Sequence, residues 1–413
     1  RRRTFMTKYR VPIVSITLVF LLTLAPFSVY AADETLSTFA IGPGLVNLSP
    51  ADEYATYQWG LKNDGEFKLV ELKEKFRSVA NIYNKKENAH GPGNYESTVT
   101  NAITGIDINI KPAWDLYAQS ENKRSVIVAV IDTGIDYNHP DLQNSMWTNP
   151  GEVPGDGIDN DGNGYVDDIY GWNFYENNNQ IFKGEEDSHG THAAGTIAAS
   201  RGNFGITGIA DNQYVKIMSL KALGGSNGTG SPAAVIEAVR YAEANGASIC
   251  NLSMGTLGHN EELAQIIQNS KMLFVVACGN GTAAGIGFNT DRYPVYPASY
   301  PYDNVISVAN LLFNGTLSKD SNFGPVSVDI AAPGCYILST IPDNGYGFMS
   351  GTSMAAPMVT GVAAMLYSYQ PDLSLLQVKQ ILLDSSRKLD GLNGWLVSNG
   401  MLDAYAALTW NQN

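Results

Sequence analysis

The sequence predicts an α/β protein built on a doubly wound, mostly parallel sheet flanked by helices. Two observations carry that expectation. Short, near-continuous apolar runs rich in β-branched residues lie at 125–131, 215–220, 248–252, 272–277 and 305–308, and such runs suit strands buried on both faces. Between them fall stretches of helical pattern, at 232–245 and 261–270. Strands alternating with helices require crossover connections and hence parallel neighbours. Sheets of this kind bind ligands at the carboxyl ends of their strands, so the polar residues that follow each run are the ones that matter.

Taken in chain order, the N-terminus carries an address. Arg1, Arg2, Arg3, Lys8 and Arg10 precede an apolar stretch at 11–27, and Val29-Tyr30-Ala31 supplies small residues beyond it. That is the order of a secretory signal, so residues 1–31 are expected to be removed. No second apolar span follows, and the mature protein is expected to be secreted, with no stable membrane insertion. Residues 32–105 read as an N-terminal extension. Within it, the charged segment 66–86 suits either an amphipathic helix or a solvated charged face, and the polar, Gly- and Pro-containing stretch 87–93 reads as a loop. Residues 106–413 hold the α/β pattern and are expected to form the main domain.

Composition narrows the partners. The 413 residues are 44% hydrophobic and 16% charged, an ordinary globular balance. A formal net charge of -14 argues against nucleic acid or an anionic membrane as a partner. The three cysteines, Cys250, Cys278 and Cys335, form no disulfide framework and no paired metal spacing. Cys250 and Cys278 lie in apolar runs and are expected to be buried, inert thiols.

Three motifs sit at strand ends or helix starts. Val130-Ile131-Asp132-Thr133-Gly134 places a carboxylate just after a buried run, and Asp187-Ser188-His189-Gly190-Thr191-His192 leads into a small-residue stretch. Gly351-Thr352-Ser353-Met354-Ala355-Ala356-Pro357 opens another small-residue helix at 359–366. A serine hydroxyl is a poor nucleophile at neutral pH, so it needs an adjacent base and a carboxylate to fix that base. Asp132, His189 and Ser353 supply those residue types. Each alone also suits a bland role, such as a turn cap, a surface histidine or a helix N-cap.

Together these segments resemble the three signature motifs of subtilisin-like serine proteases, and the similarity runs over residues 106–408. The resemblance implies a serine endopeptidase with Asp132, His189 and Ser353 as its triad, in the chain order known for that family. Met358 departs from the His that family members usually place after the Pro. Val275-Val276-Ala277-Cys278-Gly279-Asn280-Gly281 resembles the family's oxyanion segment and makes Asn280 the amide donor, beside the Ser353 backbone N–H. His192 is expected to pack against the sheet rather than bind metal.

By the same resemblance, Gly228, Thr229 and Gly230 on one side and Ser253, Met254 and Gly255 on the other grip an extended polypeptide, whose main chain adds as a strand. Ala277 and Gly279 line the primary pocket, with Val295 near its floor. The loop holding Asp159, Asp161, Asn163, Tyr165, Asp167 and Asp168 is EF-like in its first positions, with Gly164 at the sharp turn. Its twelfth place is Tyr170 rather than Glu, so Asp167 or Asp168 is expected to close a structural Ca²⁺ shell. Residues 57–63 resemble a segment retained on some mature members, and a maturation cut is expected within or beside 67–95. Two other readings stay open: a protease dedicated to maturing one exported precursor, and an inactive regulatory module of the same fold.

Overall fold

The structure, a computed structural model, describes residues 52–70 and 96–410. The signal-like stretch 1–31 and most of the charged segment 66–86 lie outside the described residues. Where that segment is described it is a strand, not a helix. β1 (Phe67–Val70) pairs antiparallel with β2 (Glu96–Val99), Phe67 opposite Val99. Packing explains the outcome: Phe67 is buried, stacked on Trp59 at 5.7 Å and edge-on to Phe313 at 5.2 Å between ring centres. Tertiary contacts of that kind override local helical preference.

The main elements follow as α1 (Ile110–Gln119), β3 (Val126–Asp132), β4 (Gly171–Asn173), α2 (Ser188–Ala198), β5 (Val215–Lys221) and α3 (Pro232–Ala244). Next come β6 (Ile249–Leu252), α4 (Glu261–Asn269), β7 (Leu273–Ala277), β8 (Val305–Leu311), β9 (Ile330–Pro333), β10 (Ile337–Ile341) and β11 (Gly345–Met349). The chain ends through α5 (Thr352–Tyr369), α6 (Leu375–Asp384), β12 (Arg387–Lys388), β13 (Gly400–Met401) and α7 (Ala404–Thr409). Nine strands form one sheet in the order β12-β13-β9-β8-β7-β6-β3-β5-β4, parallel throughout except for β12 at the edge. This is the doubly wound α/β sheet that the sequence predicts.

Strand periodicity divides the core in two. Val128, Val130, Ile217, Ile249 and Val275 face one way, against α2 and α5. Ala129, Ile131, Met218, Leu252 and Phe274 face the other, against α3 and α4. Successive residues of a strand point to opposite faces, and both faces are covered. Local signals set the helix starts: Ser231 accepts from the Ala234 N–H with Pro232 in the first turn, and Asn260 accepts from the Leu263 N–H.

Residues 52–65 share this core. Trp59 and Leu61 are buried, the Trp59 indole donates to the Cys335 carbonyl at 2.7 Å, and Gln58 exchanges two hydrogen bonds with the Thr207 backbone. Met358 is buried against the same segment, its methyl so close to Gly60 that a Cβ there would lie 3.0 Å away. All three cysteines are buried and unpaired by disulfides. Among the described residues, no helix is long and apolar enough to cross a membrane.

Candidate active site

Asp132 is the last residue of β3, at the carboxyl edge of an interior strand, and is fully buried. Its Oδ1 accepts from its neighbour's N–H (Thr133, 2.7 Å) and from His189 Nδ1 at 2.7 Å. A carboxylate oxygen facing Nδ1 fixes the proton there, which leaves the Nε2 lone pair of the neutral ring for a substrate-side proton. Burial works to lower the His189 pKa, but the Asp132 charge and hydrogen bond outweigh it and hold the pKa above the ordinary histidine value.

His189 is placed by the start of α2. Gly190 donates its N–H to Thr133 Oγ1 at 3.1 Å, and the approach is so close that a Cβ on Gly190 would lie 2.2 Å from the Gly134 carbonyl. His192, one helical turn on, is buried and bonds the Ile337 carbonyl through Nε2 at 2.8 Å. Burial takes its pKa down to about 4. It is therefore neutral, and its ring is tied to the β10–β11 hairpin.

Ser353 is the second residue of α5. Backbone N–H groups in a helix's first turn have no carbonyl inside the helix to bond, and the dipole there favours negative charge. Ser353 Oγ donates to the Ser253 carbonyl at 3.1 Å, and Ser253 Oγ donates back to the Ser353 carbonyl at 3.0 Å. The serine is thus docked on the segment that follows β6. Asn280, beyond the end of β7, accepts through Oδ1 from the Thr352 N–H at 2.8 Å and the Thr352 hydroxyl at 2.9 Å. A backbone N–H can only donate, so the atom facing it is the amide oxygen, and the NH₂ group is turned away from Thr352. Gly351 adopts φ 150°, and a Cβ there would lie 3.1 Å from Asn280 Nδ2. The glycine keeps that amide uncrowded.

The expected substrate-binding residues fall around these groups. Thr229 pairs with Gly224 in an antiparallel bridge, Gly228 lies in the turn between them, and Gly230 packs against the Ala222 carbonyl with no room for a Cβ. Val295 Cγ1 would lie 2.8 Å from a Cβ on Gly255 and 3.7 Å from one on Gly279. Gly255 and Gly279, which follow β6 and β7, thus meet at Val295. Beside Met254 the structure also shows an apolar pocket lined by Gly230, Pro232, Val235, Leu263 and Tyr296, which the sequence reading did not include. Its signal was present in the apolar first turn of α3 and in Leu263 behind the two glutamates that open α4, but which face they offered depended on the fold.

The acidic loop is rearranged relative to its EF-like pattern. Oxygens of Asp161 and Asp168 lie within 4.8 Å of one another and of Glu152, a residue outside the pattern. Asp159 instead accepts from the N–H groups of Gly162, Asn163 and Gly164, and Asp167 from those of Gly155 and Gly157. Asn163 and Asn149 both donate to Asp161 and Asp168. The Tyr241 hydroxyl donates to Asp168, and burial with that neighbouring charge pushes its pKa far up. An all-oxygen set with a fully buried carboxylate at its centre suits a hard divalent cation.

The family model described as "Subtilase family" matches residues 123–401. Subtilisin-like protease 1 of Plasmodium falciparum (isolate 3D7) is 34% identical over 77% of this chain and 48% of its own length. The chain therefore spans about half the length of that relative. Thermitase of Thermoactinomyces vulgaris is 34% identical over 73% of this chain and 94% of its own. A crystal structure of a cold-adapted subtilisin-like serine proteinase superposes with a TM-score of 0.52 at 28% identity, covering 68% of this chain and 90% of that one. The parallel sheet, the grouping of Asp132, His189, Ser353 and Asn280 at its carboxyl edge and these matches agree: the chain belongs to the subtilase family.

Proposed function

We propose that the chain is a secreted serine endopeptidase that hydrolyses peptide bonds in extended polypeptides through an acyl-enzyme. The observation that carries this reading is the 2.7 Å Asp132–His189 pair beside a helix N-terminus that presents Ser353. In the reaction, Ser353 Oγ leaves the Ser253 carbonyl and attacks the scissile carbonyl carbon as His189 Nε2 takes its proton. Asp132 keeps the imidazole oriented and stabilises the imidazolium. The Ser353 N–H and Asn280 NH₂ stabilise the oxyanion. The imidazolium then protonates the leaving amine, and water repeats the sequence in reverse on the ester.

Two edges, Gly228–Gly230 and Ser253–Gly255, accept the substrate main chain, and the apolar pocket at Met254 and Leu263 takes a side chain upstream of the cut. Val295 shortens the primary pocket, which favours small or medium apolar residues over Lys or Arg. Incubating the purified exported protein with a denatured polypeptide and mapping the products by mass tests this. Internal cuts after such residues, by a protein lacking residues 1–31, are expected. An intact substrate would leave the inactive-module reading, and a retained residue 1–31 would remove secretion.

Calcium is read as a structural ion held by Glu152, Asp161 and Asp168, with Asn163 in the surrounding shell. It would neutralise clustered carboxylates and stiffen the loop between the 3₁₀ helix Gln143–Ser145 and β4. Saturating calcium at about 100-fold above Kd adds about 2.7 kcal/mol of stability, or roughly 4 °C in Tm for a domain of about 300 residues. A chelator should remove that increment from wild type and much less from Asp161→Asn. Equal chelator sensitivity in the two would place the ion elsewhere.

A further inference from the structure

We propose that Lys221 is a positioning residue for His189, acting through Asp187 to hold the start of α2 against the end of β3. The inference rests on the reading of Asp132, His189 and Ser353 as the triad. Lys221 ends β5, in register with Asp132 on the neighbouring strand, and its side chain is fully buried. Its Nζ meets Asp187 Oδ1 at 2.6 Å and Glu186 Oε1 at 2.9 Å, and it donates to the carbonyl of Thr133, the residue after Asp132. One ammonium group thus bonds both segments that carry the Asp132–His189 pair.

Asp187 transmits the hold. It is fully buried and stands two residues before His189. Its Oδ2 accepts the N–H groups of Lys183 at 2.5 Å and Gly184 at 3.1 Å, and its carbonyl accepts the Thr191 hydroxyl at 2.8 Å. Thr191 Oγ1 in turn accepts the N–H of Asp136, from the chain that follows β3. Gly134 passes so close that a Cβ on it would lie 2.6 Å from Asp187 Oδ1. There is no slack between the carboxylate and the strand end.

The chain leaving β5 completes the arrangement. The N–H groups of Ala222 and Leu223 both donate to the Asp132 carbonyl, at 3.0 and 3.1 Å. Burial pushes the Asp187 carboxyl above its usual range, and the Lys221 ammonium group is the main influence opposing that rise. Without the ammonium group the carboxylate is left buried with no cation at its centre, a costly state that the segment relieves by moving. Movement of the helix start carries His189 with it. Glu186 also touches Lys221, but it is partly exposed and its loss leaves Asp187 paired.

The test measures kcat per active site, with sites counted by end-point fluorophosphonate labelling, and KM on one peptide. Lys221→Met and Asp187→Asn are expected to lower kcat by about 10- to 100-fold with KM within about twofold, as a misplaced catalytic group should. Lys221→Arg keeps the charge and should recover part of the loss. Glu186→Gln should stay within about twofold of wild type. Asp187→Asn preserves volume, so it carries the test if Lys221→Met does not fold. Folded variants of Lys221 and Asp187 with wild-type kcat per site and only a lower Tm would overturn the inference. Ser353→Ala run in parallel separates the two readings: turnover there removes the triad itself, whereas a dead Ser353→Ala beside wild-type Lys221→Met removes only the positioning role.

Discussion

Ser353→Ala is expected to lower kcat for peptide hydrolysis by about 10⁴–10⁶-fold, a magnitude carried over from subtilisin, while the protein stays folded. The two halves of that result have separate causes. On the proposed mechanism, loss of Oγ removes the nucleophile that forms the acyl bond, so what remains is whatever the oxyanion donors achieve on bound substrate with water. Stability loses one hydrogen bond, from Ser353 Oγ to the Ser253 carbonyl at 3.1 Å, worth about 1 kcal/mol. The reciprocal bond from Ser253 Oγ to the Ser353 carbonyl persists, so the start of α5 stays docked. Peptide kinetics with a melting curve on the same preparation checks both. A folded variant with near wild-type turnover would remove Ser353 from the reaction.

Asn280→Ala should lower kcat by about 10²–10³-fold with little change in KM, the loss known for removal of one oxyanion donor in subtilisin. The geometry adds a complication that a second variant resolves. Asn280 Oδ1 also satisfies the Thr352 N–H and hydroxyl, so the alanine variant loosens α5 as well as removing the donor. Asn280→Asp keeps an acceptor for Thr352 and replaces the NH₂ donor with an oxygen. Its kcat should fall at least as far as that of the alanine variant, although the helix start is retained. An effect confined to KM in both, or activity restored by Asp, would assign Asn280 to helix capping alone.

The sequence made the sheet's interior legible because fully buried parallel strands have no polar face to confuse the pattern. Val126–Asp132, Val215–Lys221 and Leu273–Ala277 all coincide with apolar runs to within a residue or so. The β10–β11 hairpin was not legible. Its strands carry Ser, Thr and Gly, and its connection relies on Asp343 and Asn344 at positive φ, conformations that those residue types tolerate better than most. β1 was read as part of a possible helix because its charged continuation dominated the pattern, whereas burial of Phe67 decided the outcome.

The candidate site divides the same way. Asp132, His189, Ser353 and Asn280 each stand beside glycines or small residues at the end of a strand or the start of a helix, and such neighbours are visible in sequence. Glu152 was missed because it lies seven residues before Asp159 and reaches Asp161 and Asp168 only through the folded loop. Lys221 was missed because it looks like the polar end of an apolar strand. Its partners Asp187 and Glu186, 34 and 35 residues earlier, reach it only once the fold brings the start of α2 to the end of β5.

The most direct measurement is the rate of fluorophosphonate labelling of the wild-type protein as a function of pH, with the adduct mapped by mass spectrometry. Labelling needs a neutral His189 to take the serine proton, and the folded pKa of His189 is raised by Asp132. The rate is therefore expected to fall as pH drops through a value above the ordinary histidine pKa of about 6.5, with a single adduct on Ser353. An adduct on another residue, or labelling of Ser353 at a rate that does not change from pH 5 to pH 8, would contradict the account.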